Sequence, residues 1–572
     1  MSARSEAAAA AARRRAARTR RVEAVGLGLL ALLPVVPHLT LLLRVGVPRF
    51  GLLGDFARLE QALRHVWAGD TLLGPAVRSA YNHPGPLFFY LSAPFQRLFG
   101  TASTGLYVGA CFVSALSAGA TVGCARLFGR RSHAIAALLV VLAWFVAFGN
   151  VAANPWSPAS AVLPLLAFLV NAAMLARGKS GALYTVAFFG ALAAQPWAVA
   201  TAVVVPIAIV AFVAFLVGGR RRGGLERFER WRIAIAAAVL FGLFVPTLVE
   251  QLLAPTGNLT RLVRVIVHRS APTHPLSSAA MSWTTATAWL PERLAQRTLI
   301  DEAAPPSMLR AEAMRDVVTS NARLIAIVHV ATVACAAIIA SRRRDLVSVG
   351  LLAFGLTADA IGVIVLARFP GTTWHYVAFW TTAASSVAWM GVLSTLFSAI
   401  GALAPRVPRV SGVIAPALTV VGLSTAVTAT SLQRFWIARH PTAPEARLDL
   451  SPDLRALEAA LRARMKRDDR IPVVHRDGAG DIADGLVLEL EKDEVDVRVG
   501  NADRDAYVGV RTANGVDRPL HVWLATPWQP LRMARCPSPH VAQTGSLELI
   551  ARSGNLALFG SPVAAPACVD ID

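Results

Sequence analysis

Charge is scarce in this chain. Only 16% of its 572 residues are Asp, Glu, Lys or Arg, against 55% hydrophobic ones. So few charged groups, with a mean hydropathy of +0.52, exclude an ordinary soluble fold and predict a polytopic membrane protein. Acidic residues are the scarcer sign, 35 against 56 basic ones. Cysteine is sparse too, with five in all. Cys111, Cys124 and Cys335 fall in apolar runs, and no spacing suggests zinc. Cys536 and Cys568 lie in a polar C-terminal region, where an oxidising compartment would allow a disulfide. The chain also lacks tandem repeats, a nucleotide-binding glycine fingerprint and a Walker loop.

Long apolar runs are abundant. A spanning helix needs roughly 20 mostly apolar residues. Such segments lie near 24–43, 103–125, 134–150, 159–176, 182–197, 198–217, 233–252, 322–340, 346–367, 374–398 and 411–430, which makes eleven expected spans. The boundary at Gln195-Pro196-Trp197 admits either two short helices or one kinked helix. Parity favours two. Basic clusters at Arg13 to Arg21, Arg126 to Arg131, Arg220 to Arg232, Arg342 to Arg344 and Arg406 to Arg409 fall on alternate loops, as expected for the cytoplasmic side. The net charge of +21 is therefore mainly a topology signal. It does not point to nucleic acid, because the arginines border apolar helices instead of forming one groove-sized face.

The expected organisation is a basic cytoplasmic tail over 1–22, a transmembrane domain over 23–430 with outward loops at 44–102 and 254–321, and an extracytoplasmic domain over 431–572. The first span is long enough to be a retained signal anchor, and no small-residue cleavage site follows it. After the linker HPTAP, Leu454, Leu457 and Leu461 repeat at helical spacing. Strands are expected at Ile471 to His475, Val495 to Val499, Tyr507 to Arg511 and His521 to Ala525, with a helix around 480–491. This composition reads as a small α/β domain.

The first outward loop carries the most specific pattern. Asp55 precedes Phe56, Leu59, Leu63, Val66 and Trp67, an apolar rhythm with Arg58, Gln61, Arg64 and His65 on the other side. A helix lying on the membrane surface is expected there, ended by Gly69. Pro84-Gly85-Pro86 then opens a second short helix that Gly100 can close. Asp55 suits a helix N-cap as well as catalysis. Asn82-His83-Pro84 reads either as a structured turn or as part of a site. Glu60, five residues on, is expected to be solvated.

An acidic residue just after the first span, a surface helix, and a Pro-rich opening to an aromatic helix ending in Leu98-Phe99-Gly100 together resemble the GT-C fold glycosyltransferases. That family includes the protein O-mannosyltransferases and the lipid A aminoarabinose transferases. The resemblance implies a GT-C-like membrane enzyme that transfers a sugar from a polyprenyl-phosphate carrier to an envelope glycan, lipid or protein acceptor outside the cytoplasmic membrane. Asp55 would be its general base. His83 stands where many relatives have Lys before the prolines, and would touch the donor phosphate. Several relatives also show Asp-Glu where this chain has Asp55-Phe56.

Other candidates come from the residues themselves. Glu250, Gln251 and Asn258 begin a second cluster, followed by Arg261, Arg264 and His268, which share one helix face suited to phosphate or to anionic lipid headgroups. Asn82, Glu250, Asn258, His375 and Tyr376 are expected to line the substrate pocket. Asp359, inside the ninth span, is either functional or bonded to a neighbouring helix. One convincing aspartate is fewer ligands than a dedicated metal site usually shows, so no cofactor is assigned and a divalent metal stays open. A transporter or flippase, and a catalytically silent relative that recognises glycans, are the alternatives. A transporter should gather ionisable groups near the bilayer midplane, whereas here they collect at the expected outward face.

Overall fold

Nine helices among the described residues are long and apolar enough to cross a membrane: Arg14–Val45, Thr104–Phe128, Arg131–Phe148, Ser157–Ala176, Ala198–Arg221, Arg227–Leu253, Arg323–Arg342, Leu346–Ala367 and Tyr376–Gly401. The two other expected spans are shorter apolar helices, Ala182–Ala194 and Val420–Ser431. The computed structural model describes residues 3–47, 49–77, 81–267, 274–297, 322–369, 375–403, 420–431, 434, 450–500, 511–512, 516, 518–525, 546–561 and 568–569. Cys536, His268, Trp374 and the linker at 440–444 lie outside the described residues.

The chain divides into two units. The first comprises Met1–Leu41, Ala110–Leu248 and Val265–Pro441. Its helices form where long Ala, Leu and Val runs carry almost no charge, and they end where charge or an extended residue intervenes. Gln195 closes one helix, Trp197 turns extended at φ −142°, and Ala198 starts the next, so the segment is two helices. Glu23 binds Arg126 at 2.6 Å and also pairs with Arg131, tying basic residues to the first helix. His133 meets Asp345 at 3.2 Å, and Ser398 donates to the same carboxylate at 3.0 Å.

The expected outward loop at 254–321 is more structured than a plain connection. Its helix Leu276–Arg297 packs Ala279 and Ala286 against Leu366, Val377 and Ala378, and buries Ser282, Thr284, Thr285 and Thr287. With Ser and Thr so frequent it escapes a hydropathy search, yet hydroxyls that bond back to the preceding turn are easily buried, as Thr284 and Thr285 do here.

The second unit comprises Leu42–Gly109, Val249–Arg264 and Thr442–Asp572. Its helices are α1 (Gly54–Arg64), α2 (Leu87–Phe99), the part of α3 (Asn258–Val267) up to Arg264, α4 (Ser451–Asp468) and α5 (Gly480–Lys492). Its strands are β1 (Ile471–Gly478), β2 (Arg498–Val499), β3 (Arg511–Thr512), β4 (Pro519–Ala525), β5 (Ser546–Ser553), β6 (Leu556–Ser561) and β7 (Cys568–Val569). They form one sheet in the order β3-β2-β1-β4-β6-β5-β7. β1 runs parallel to β2 and β4, while β6 is antiparallel to β4 and β5. Leu454, Leu457 and Leu461 of α4 and Ile482, Leu486 and Leu490 of α5 pack on Val474, Val522 and Leu558 of the sheet. α5 and the strands at 471 and 519 match expectation. Of the expected strand at 495–499 only Arg498–Val499 forms, and Tyr507 lies outside the described residues.

α1 is not a helix with one polar face left in solvent. Phe56, Leu59 and Leu63 are buried, and so are Arg58, Glu60 and Gln61. On its polar side Arg58 and Glu60 pair with Asp484 and Lys492 of α5. It ends at Arg64, and Gly69, at φ +83°, serves the turn that follows.

Candidate functional site

The approach to Asp55 is fastened residue by residue to the α/β part of the second unit. Arg49 binds Glu489 at 2.8 Å and Asp493 at 2.9 Å. Phe50, at φ +63°, donates its N–H to Glu489 at 3.0 Å and sinks its ring into the core under α4 and α5. Two glycines then permit a close approach of backbones. A Cβ at Gly485 of α5 would lie 2.6 Å from Leu53 Cδ2 and 2.9 Å from the Leu52 carbonyl oxygen. Gly54, at φ +51°, faces Asp481 at 3.0 Å from where its own Cβ would stand.

Asp55 therefore enters α1 in its first turn. The N-cap position belongs to Leu53, which makes no side-chain cap bond, so the capping role expected for Asp55 is not the one it plays. A carboxylate in the first turn is still favoured by the unpaired N–H groups and helix dipole there. Its side chain is 34% exposed, enough to meet a ligand. Arg58, one turn on and 7% exposed, donates Nη2 to Asp55 Oδ1. The same guanidinium turns Nε toward Asp484 Oδ2 at 3.3 Å, and Arg476 forks Asp484 at 2.8 and 3.2 Å. Asp484 is fully buried. The result is a chain of alternating charge, Asp55, Arg58, Asp484, Arg476, reaching from the loop into the sheet.

A second cluster locks the helix. Glu60, expected in solvent, is fully buried between Arg64 at 2.8 Å and Lys492 at 3.3 Å. Lys492, equally buried, also binds Glu489 at 2.9 Å and donates to Ser103 Oγ at 2.9 Å. A buried carboxylate keeps its charge only when paired in this way. His65 closes the helix end between Asp70 at 3.2 Å and Glu491 at 3.3 Å. Its hydrogen bond to Glu491 raises its pKa above the ordinary histidine value, with burial opposing and Asp70 adding to the rise.

His83 sits in the loop between α1 and α2. Its N–H donates to the Pro75 carbonyl at 2.9 Å and its own carbonyl accepts from Gly74 at 3.0 Å. The side chain is 4% exposed. Burial pushes its pKa down to about 3, against the pull of the Asp55 carboxylate, so it is neutral at neutral pH.

Asn82 and Asn258 join the first loop to the second cluster. The Asn82 N–H donates to Asn258 Oδ1 at 2.7 Å, and Asn258 Nδ2 donates back to the Asn82 carbonyl at 2.8 Å. Glu250 accepts the Asn258 N–H at 2.9 Å, while Gln251 accepts from Leu259 at 2.9 Å. These two side chains hold the start of α3. Arg261 donates Nε to the Thr256 carbonyl at 3.0 Å, and Arg264 is exposed.

Asp55, Asn82, His83, Glu250, Asn258, Arg261 and Arg264 accordingly all belong to the second unit. His375 and Tyr376 belong to the first. Tyr376 packs on Trp156, ring centres 4.8 Å apart, and beside Trp197. Asp359 accepts from Trp283 Nε1 and Ser385 Oγ, each at 3.1 Å, the inter-helix bonding that was one of its two expected roles. Sequence reasoning missed Asp484, Arg476 and Lys492. Asp484 stands out only as an acidic residue inside a mostly apolar helix, and nothing in the chain signals a partner 426 positions away at Arg58. No group of three or more His, Cys, Asp or Glu side chains with metal-binding geometry occurs among the described residues.

These elements define a polytopic α-helical membrane protein with a small α/β part, whose charged loop helix carries a half-exposed carboxylate. Among solved structures the chain is similar to ArnT from Cupriavidus metallidurans in the apo state, with 13% identity, a TM-score of 0.45, and coverage of 96% of this chain and 99% of that one. It is similar also to the same protein bound to undecaprenyl phosphate, at 15% identity and TM-score 0.45, covering 95% of this chain and 98% of that one. No family model and no curated protein matches the chain.

Proposed function

We propose that the protein is a glycosyltransferase that takes a sugar from a polyprenyl-phosphate carrier and passes it to an acceptor hydroxyl, with Asp55 as general base. The observation that carries this reading is the Asp55 carboxylate itself: held by Arg58, 34% exposed, and set beside a buried neutral His83. In the step envisaged, Asp55 takes the proton of the acceptor hydroxyl as its oxygen forms a bond to the sugar C1. The C1–O bond to the carrier phosphate breaks, and the phosphate leaves with the electron pair.

His83 would serve as a neutral hydrogen-bond donor to that phosphate, and a bound dianion would favour its protonation. Arg261 and Arg264, on the helix that Asn258 ties to Asn82, would supply positive charge. Glu250 and Asn258 would position the loop. The arginine clusters support a cytoplasmic N-terminus, with loops 44–102 and 254–321 and the domain at 431–572 on the outer side of the cytoplasmic membrane. Membrane lipids and an envelope glycan, lipid or protein acceptor are the partners this reading needs.

The test uses purified protein and a panel of undecaprenyl-phosphate-linked pentoses and hexoses carrying a radiolabel, with envelope extract as acceptor. Wild type should discharge at least one carrier, and a folded Asp55→Asn protein should be slower by roughly 10²–10⁴-fold. Equal discharge by both proteins would remove Asp55 from the chemistry. No discharge across the panel would favour the transporter reading.

A further inference from the structure

We propose that Asp484, on α5, is a positioning residue for Asp55, so that the α/β part of the second unit completes the catalytic carboxylate. The inference rests on the transferase reading above. It comes from an arrangement that is more than a surface ion pair. Arg58 is 7% exposed and bridges two carboxylates, with Nη2 on Asp55 and Nε 3.3 Å from Asp484 Oδ2. Asp484 has no solvent exposure, and Arg476 of β1 fixes both of its oxygens at 2.8 and 3.2 Å. The Nε contact is an ion pair without hydrogen-bond geometry, so Asp484 holds the buried guanidinium through charge while its Nη2 donates to Asp55.

Charge matters as well as geometry. Arg58 facing Asp55 alone would bind the carboxylate with its whole charge. With Asp484 on the other edge the cation is shared between two carboxylates. Asp484 touches neither substrate nor reacting atoms in this scheme. The Gly485 and Gly54 contacts bring α5 and the start of α1 close enough for the relay to form.

The experiment measures the single-turnover rate constant for carrier discharge, which is independent of the fraction of protein correctly folded. It uses whichever undecaprenyl-phosphate-linked sugar the wild type discharges. Asp484→Asn preserves shape and removes charge. The expected result is a rate constant lower by about tenfold, equivalent to ~1.4 kcal/mol, with the carrier KM changed less than about twofold, as for an interaction made only in the transition state. Should Asp484→Asn fail to fold, Arg476→Gln at the half-buried far end of the relay replaces it, with a loss of about threefold, again in rate constant and not in KM. A wild-type rate constant in either folded variant would overturn the proposal, as would a loss carried entirely by KM. Absence of discharge by wild type is a separate outcome: it removes the transferase reading, and this inference falls with it.

Discussion

Asp55 is the proposed general base, and its surroundings were only partly legible in the chain. Its place after the first apolar run marks it out, and the Arg three positions on shares its helix face. The second edge of that arginine is occupied by a residue from a distant segment, which no local spacing announces. His83 shows the same divide. Its neighbours Asn82 and Pro84 mark a turn, but the neutral state follows from burial that only the folded loop provides. The residue-scale prediction concerns pH. A histidine held neutral with a folded pKa near 3 binds fewer protons than the unfolded chain between that value and about 6.5, so its contribution to stability falls as pH drops through the window. Melting curves should therefore show His83→Asn less acid-sensitive than wild type between pH 6.5 and about 4. An unchanged slope would place His83 in water.

At the scale of elements, α1 and α5 form one device. The apolar rhythm of α1 predicted a helix correctly and its surroundings wrongly, because periodicity reports which side is apolar and not what covers the polar side. Here Glu60, Arg58 and His65 all meet α5, and a mostly polar face became an interface through charge pairing. Lys492→Met leaves Glu489 and Glu60 with one fewer buried cation. A loss of roughly 3 kcal/mol or more is expected in denaturant or thermal unfolding, since removing one partner strands buried charge. Gly485→Ala should cost about 1–3 kcal/mol, because its methyl group meets the Leu52 backbone, which cannot yield as a flexible side chain would. His65 adds a pH signature opposite to that of His83. Its raised pKa makes the link to Glu491 fully effective below the unfolded value near 6.5 and weaker as pH rises through the folded one. His65→Gln should flatten the stability profile on that alkaline side.

For the whole molecule, the membrane-spanning plan was the most legible part, since long apolar runs and alternate arginine clusters are dictated by the bilayer and need no tertiary information. The helix Leu276–Arg297 was not, because its serines and threonines hide it from hydropathy. The assignment of Leu42–Gly109 and Val249–Arg264 to the same unit as the C-terminal sheet was equally hidden, since it depends on contacts across the full length of the chain. That grouping underlies the proposal that the carrier phosphate and the Asp55 carboxylate would meet in the second unit, where the loop at 81–86 and the start of α3 are joined by Asn82 and Asn258. Photocrosslinking tests it most directly, using undecaprenyl phosphate with a photoreactive group near the phosphate and peptide mapping of the labelled protein. Label is expected on the peptides containing His83 and Arg261 to Arg264, displaced by excess undecaprenyl phosphate. Displaceable label confined to helices of the first unit, with none on those peptides, would contradict it.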